Sequence, residues 1–111
     1  MTQAAVLAQM GNQNQTFRNR IINGAMMIDQ RNAGASVSTS SGSSIYTVDR
    51  WIAQWSVASK FTIQQNAGSV TPPAGFANYL GVTSQSAYTP GSTDWYSIQY
   101  NIEGYNVADL A

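Results

Sequence analysis

Short runs in which apolar and polar residues alternate, cut by glycine, proline and serine, limit what this chain can fold into more than any other feature. Ile98, Tyr100 and Ile102 alternate with Ser97, Gln99 and Asn101 within Trp95–Ile102, the period of a strand with one buried face. Across 46–56, Trp51, Ala53 and Trp55 share one face and Arg50, Ile52 and Gln54 the other. Phe61 and Ile63 alternate with Thr62 and Gln64 across 60–65, and the link Val57-Ala58-Ser59 predicts a hairpin between these two strands. Across 77–83, Tyr79, Gly81 and Thr83 oppose Leu80 and Val82. Pro72-Pro73-Ala74-Gly75 and Tyr88-Thr89-Pro90-Gly91-Ser92 mark turns, and 32–44, rich in Ser, Gly and Thr, reads as a loop. The segment 17–30 is apolar on both sides, with Ile22, Met26 and Ile28 on one and Ile21, Ala25 and Met27 on the other. That pattern fits a doubly covered strand or a helix; Asn23-Gly24 fits a bend or bulge and favours the strand. Five short strands between turns describe an all-β sandwich or barrel.

The last strand runs into Glu103–Leu110, which reads as a short helix, and nothing later in the sequence covers the strand's apolar side. The expectation is an incomplete β-sandwich, the N-terminal portion of a longer β-protein or one completed by partners. Residues 1–16 stand apart from it. Val6, Leu7 and Met10 fall on one side of a short helix, followed by a polar stretch without period. Two readings are open: a frayed terminus, or an extended or helical arm that orders on a partner, with Val6, Leu7, Met10 and Phe17 as its anchoring residues. The domain division is then 1–16 for the arm and 17–111 for the β-domain.

Composition narrows the function classes. Five basic and five acidic residues cancel, and only 9% of the chain is charged, against roughly 25% in ordinary soluble domains. A surface so close to neutrality is poorly protected against association. Five scattered cations make no basic stripe for a phosphate backbone, which argues against a nucleic-acid partner. The absence of cysteine and histidine excludes disulfides and thiolate sites and removes the commonest general base and zinc ligand. Asp29, Asp49, Asp94, Glu103 and Asp109 show no spacing that selects a glycosidase pair, and no nucleophile elbow, phosphate loop or metal cluster occurs. The reading is non-enzymatic, with no cofactor and no metal. The first ten residues lack the charged and apolar regions of a secretory signal, and no run reaches membrane-spanning length.

Three segments in order carry a resemblance: Asn19-Arg20-Ile21-Ile22-Asn23-Gly24-Ala25-Met26-Met27-Ile28-Asp29-Gln30-Arg31, Tyr46-Thr47-Val48-Asp49-Arg50-Trp51, and Ile102-Glu103-Gly104-Tyr105-Asn106-Val107-Ala108-Asp109-Leu110. Together they resemble the start of jelly-roll domains in tail fibre and other virion appendage proteins of tailed bacteriophages, domains similar to carbohydrate-binding modules of the galactose-binding-like type. The resemblance implies a virion structural protein made in the host cytoplasm, anchored to other tail proteins and assembled as a homotrimer, with further strands after Leu110. It also implies a second possibility, recognition of a host surface glycan, and a weaker third, a capsid decoration protein. The first strand of related modules often carries acidic residues that hold calcium; Ala25, Met26 and Met27 stand there instead, which argues against that ion.

For glycan binding the candidates are Trp55, Tyr79, Trp95 and Tyr96, whose flat faces suit the C–H face of a sugar while Gln54, Asn78 and Gln99 stand near them in sequence. The same aromatics are also the largest core fillers available. Trp51 is assigned to the core, whereas Trp95 and Tyr96, on opposite faces of one strand, divide between core and surface. Asp49-Arg50 is read as a structural bridge at a strand start in preference to a carboxylate grip.

Overall fold

The computed structural model describes residues 2–13, 19–68 and 70–110. They fall into two compact units, one within Met1–Ile22 and Ile102–Ala111, the other Asn23–Asn101.

In the first unit, helix α1 spans Gln3–Gln13. Its sequence is mostly Ala, Gln, Leu and Met, all strong helix formers, and it carries no charge. Thr2 caps it: Ala5 N donates to Thr2 Oγ1 at 3.3 Å and Val6 N to Thr2 O at 3.1 Å. The arm is thus helical and extends through Gly11, Asn12 and Gln13. Val6 and Leu7 are both exposed. The Met10 side chain and Phe17, the other two anchoring candidates, lie outside the described residues. Helix α2, Gly104–Val107, and a 3-10 turn, Ala108–Leu110, occupy the segment expected to be helical. The Arg20 guanidinium donates to the Asn106 carbonyl. Among the described residues no helix is long and apolar enough to cross a membrane.

Among the described residues there are six strands, all in the second unit: β1 Val37–Ser38, β2 Ser44–Tyr46, β3 Trp51–Trp55, β4 Phe61–Gln65, β5 Leu80–Ser84 and β6 Tyr96–Tyr100. They form two three-stranded antiparallel sheets, ordered β1–β4–β5 and β2–β3–β6. The all-β expectation holds at this level. Ala53 and Trp55 of one sheet meet Phe61 and Ile63 of the other in a buried cluster, with Ala58 and Leu80 against it. The alternation read from β3 and β4 therefore groups these residues on their strand faces correctly.

Three expectations about the strands are corrected. Residues 19–30 contain no strand. Asn23 and Met26 take left-handed backbone angles (φ 58° and 56°) and close a turn, Met26 N to Asn23 O at 3.1 Å. The Asn23 amide then does what a neighbouring strand would do: it accepts from Ile28 N at 2.9 Å and donates to the carbonyls of Ile28 at 2.8 Å and Asp49 at 2.9 Å. The segment Tyr46–Ser56 is two strands, broken at Thr47–Arg50, where Thr47 N bonds Trp51 O and Arg50 adopts φ 78°. Thr47 and Val48 are both buried within this turn, so the alternation is interrupted there by two consecutive inward residues. Lastly, Val57-Ala58-Ser59 makes no hairpin, because β3 and β4 belong to different sheets. Ser56 N donates to Trp95 O and Ser59 N, at φ 60°, to Thr39 O; each end of the link is tied to a different sheet. The segment read as a loop, 32–44, includes β1, where Val37 pairs with Ile63, and Thr39, whose buried hydroxyl donates to Phe61 O at 2.7 Å.

The outer face of the β4–β5 hairpin is tightly closed at Gly81. A Cβ there would stand 2.4 Å from Ala67 Cβ and 3.2 Å from Ala67 N, and Ala67 is held by the chain that leaves β4. Gly81→Ala is accordingly expected to destabilise the unit by about 1–3 kcal/mol through overpacking, read as a lower urea midpoint with an unchanged slope.

Candidate functional site: an open cleft between two sheet edges

β5 and β6 each end their sheet, and the space between them is a cleft of about 760 Å³. Its apolar floor follows from register. In antiparallel pairs, partners point to the same side, so Val82 shares the inner face with Ile63, and Tyr96 and Ile98 share it with Trp55 and Ala53. The buried partners lie at 0–1% exposure, yet Val82 is 51%, Ile98 41% and Tyr96 37% exposed. The two layers are closed at the middle strands and open along this flank. A chain of edge-on aromatics leads out of the core: Trp55 to Phe61 at 6.0 Å, Phe61 to Tyr96 at 5.7 Å.

The backbone is open on the same flank. Trp55 N donates toward β2, to Ser43 O, and Trp51 O accepts from Thr47 N. The intervening Ile52 and Gln54 therefore bond Gln99 and Ser97 of β6. Tyr96 and Ile98 turn their N–H and C=O groups away from β3, where no described residue meets them. By the same alternation, Gln85 N to Lys60 O and Asn66 N to Tyr79 O leave Leu80, Val82 and Ser84 facing out from β5.

A polar clasp borders the cleft. Tyr88 donates its hydroxyl to Asp94 Oδ2 at 2.6 Å, and Gly91 N donates to the same oxygen at 2.7 Å. The Lys60 ammonium sits 4.3 Å from the Tyr88 ring centroid, a cation–π contact. The bond to Asp94 pushes the Tyr88 hydroxyl up to about 12, and the bond from Tyr88, followed by that from Gly91, holds the Asp94 carboxyl below its ordinary value. Tyr96 is also raised, by desolvation first and the Asp94 charge second. A lowered carboxyl lends stability above its unfolded value and loses it as pH falls through the folded one; a raised phenol lends stability below 10 and loses it as pH rises through 12. The clasp is thus intact from mildly acidic pH to about 10 and fails at both ends. Tyr88→Phe is expected to flatten the stability–pH profile in both limbs, as read by urea unfolding at stepped pH.

The sequence candidates separate on this frame. Trp55 is 1% exposed and has no surface to offer a sugar; its place is the core. Tyr79 is half-buried and donates its hydroxyl to the Ala67 carbonyl. Trp95 is 48% exposed, and its backbone is clamped to Ser56, with Trp95 N donating to Ser56 Oγ at 2.9 Å. Tyr96 alone of the four lines the cleft. Trp51 is half-buried, packs at a tilt with its ring centroid 5.2 Å from that of Tyr100, and donates Nε1 to Asn23 O at 3.2 Å. The Asp49 carboxylate accepts from Gln30 N at 3.0 Å, and the Arg50 guanidinium lies 5.9 Å from the Tyr100 ring. The sequence reading did not place Lys60, Val82, Tyr88, Pro90 or Ile98 in a site, and all line the cleft; the available signal was Tyr88 and Asp94 bracketing the Pro90-Gly91 turn.

Chemically the cleft offers apolar area, two phenols and one ammonium, and no carboxylate is among the described residues that line it. Among the described residues no group of acidic side chains is placed to hold a metal ion. No protein-family model, curated protein or solved structure matches this chain.

Proposed function

We propose that the chain is a non-enzymatic structural subunit of a virion appendage of the tail-fibre kind, built on a jelly-roll-like β-sandwich that is completed in the assembly. The observation that carries this reading is the open flank: inner-face residues Val82, Tyr96 and Ile98 stand exposed beside two strand edges. Such edges recruit further strands, and a surface with so few charges does not oppose association. The three ordered motifs described above supply the virion context. Helix α1, neutral and with Val6 and Leu7 outward, fits the anchoring arm.

Labelling purified particles with antibodies to this chain tests the reading. Label at the tail, lost on deletion of residues 1–16, is the expected result; particles without the chain sink it, and label on the head points to a decoration protein. Exposed Trp95 favours glycan recognition as the second reading. Under it, Trp95→Ala abolishes retention on host surface glycan and leaves incorporation into particles unchanged.

A further inference from the structure

We infer that Asn23-Gly24 is a deamidation site that the fold holds shut, so that a chain opened at this turn is converted irreversibly and loses its latch. This goes beyond the appendage reading and stands or falls separately from it. Asn23 is the only asparagine in the chain that a glycine follows. With no Cβ in the way, a glycine lets its backbone nitrogen come close to the preceding side chain. The Gly24 nitrogen attacks Asn23 Cγ and gives up its proton; the Cγ–Nδ2 bond breaks and ammonia leaves, closing a succinimide ring. Water then opens the ring at either carbonyl, giving aspartate or isoaspartate. The reaction needs no other reactant, and Gly24 is exposed to the solvent that completes it.

In the folded unit both ends of that amide are engaged. Oδ1 accepts from Ile28 N at 2.9 Å, and Nδ2 donates to Ile28 O at 2.8 Å and Asp49 O at 2.9 Å. Ring closure swings Cγ onto Gly24 N and needs these three bonds to open together. Asp49 is itself tied to the same segment, Asp49 N to Ile28 O at 3.1 Å and Gln30 N to Asp49 Oδ1 at 3.0 Å, so the acceptors do not follow the amide when it turns. The backbone carbonyl is engaged as well: Asn23 O accepts from Met26 N at 3.1 Å and from Trp51 Nε1 at 3.2 Å. Both products undo this arrangement. Aspartate has no Nδ2 to donate to Ile28 O and Asp49 O. Isoaspartate also routes the chain through Cγ: the side-chain acceptor becomes a peptide carbonyl, and the carbonyl that held Met26 N and Trp51 Nε1 becomes a free carboxylate.

The test is to incubate the purified 111-residue chain at mildly alkaline pH, folded in buffer and unfolded in guanidinium chloride, and to read the exchange of amide for acid at Asn23 by peptide mass mapping. Conversion in the folded chain is expected to be about 100-fold slower than in denaturant, since three bonds must open first. Asp49→Ala removes the acceptor of Gln30 N and should speed folded-state conversion about tenfold while the β-sheet circular dichroism signal is kept. Converted chain, separated by its added negative charge, is expected to unfold at a lower urea midpoint than unconverted chain. Equal rates in the folded and unfolded chain, no conversion in denaturant, or an unchanged midpoint after conversion overturns the inference. If Asp49→Ala fails to fold, the two rates of the natural chain still decide.

Discussion

Trp55→Ala is expected to destabilise the Asn23–Asn101 unit by about 3–5 kcal/mol, enough to unfold most of a domain of ordinary marginal stability at room temperature. Trp55 is 1% exposed and is the largest fully buried side chain. It stands between the sheets, edge-on to Phe61 at 6.0 Å and in one cluster with Ala53 and Ile63. Alanine would leave a void that two three-stranded sheets tied at the Ser56–Lys60 crossing have little freedom to close. The size of the effect is separated from its chemistry by a second substitution. Trp55 Nε1 is buried without a partner among the described residues, and a buried unpaired donor costs about 1–3 kcal/mol. Trp55→Phe removes that donor and keeps an aromatic ring at the Phe61 contact, so its net cost is expected to stay below about 1.5 kcal/mol. Urea unfolding followed by circular dichroism measures both. A phenylalanine variant as unstable as the alanine variant would show that Nε1 is bonded in solution.

The second large effect is placed where no strand or core residue would direct attention. Asn23→Ala is expected to cost about 4–5 kcal/mol. Three hydrogen bonds, to Ile28 N, Ile28 O and Asp49 O, are lost together, at about 1 kcal/mol each. The backbone at φ 58° adds about 1–2 kcal/mol for a side chain that cannot bond locally. Asn23→Gly relieves only the backbone component and Asn23→Asp keeps only the bond from Ile28 N. Both are expected to fall between the natural chain and Asn23→Ala. Equal stability of Asn23→Gly and the natural chain would mean that the amide bonds contribute nothing.

These two residues also show what the sequence discloses. That Trp55 shares a face with Ala53, and Phe61 with Ile63, was legible because the period of two is a property of the strand alone and survives whatever the strand packs on; that Trp55 lies inside was not, since an indole suits a core or a sugar equally. The partner of each strand was not legible. The link after Trp55 is as short as a hairpin loop, yet Ser59 N bonds Thr39 O and Ser56 N bonds Trp95 O, and neither acceptor is near in sequence. Asn23-Gly24 was read as a bend, but the turn's decisive residue was the asparagine side chain, one of whose three bonds requires Asp49 to be in place. The Thr47–Arg50 turn escaped because left-handed angles are usually marked by glycine or asparagine, and here arginine adopts one. For the cleft, Tyr96 was recovered as a surface aromatic. Val82 and Ile98 were assigned only to strand faces, since a strand's alternation says which side faces inward and cannot say whether a second layer reaches that far.

The link from Ser56 to Lys60 also orders the unit's assembly in time. Because it carries the chain from one sheet to the other, β3 cannot use its sequence neighbour β4 and must wait for β6. Trp55 is separated from its register partner Tyr96 by about 40 residues, a closure that is slower than those forming β2–β3 or β4–β5. On the ribosome, with domains emerging N-terminus first, β3 leaves with one flank bare and stays so until Tyr100 is out. The last of the six strands to be made is therefore the one that finishes the sheet whose first pair, β2–β3, can form earliest, and a chain stalled before it would present Trp51–Trp55 as a vacant, neutral, aromatic edge.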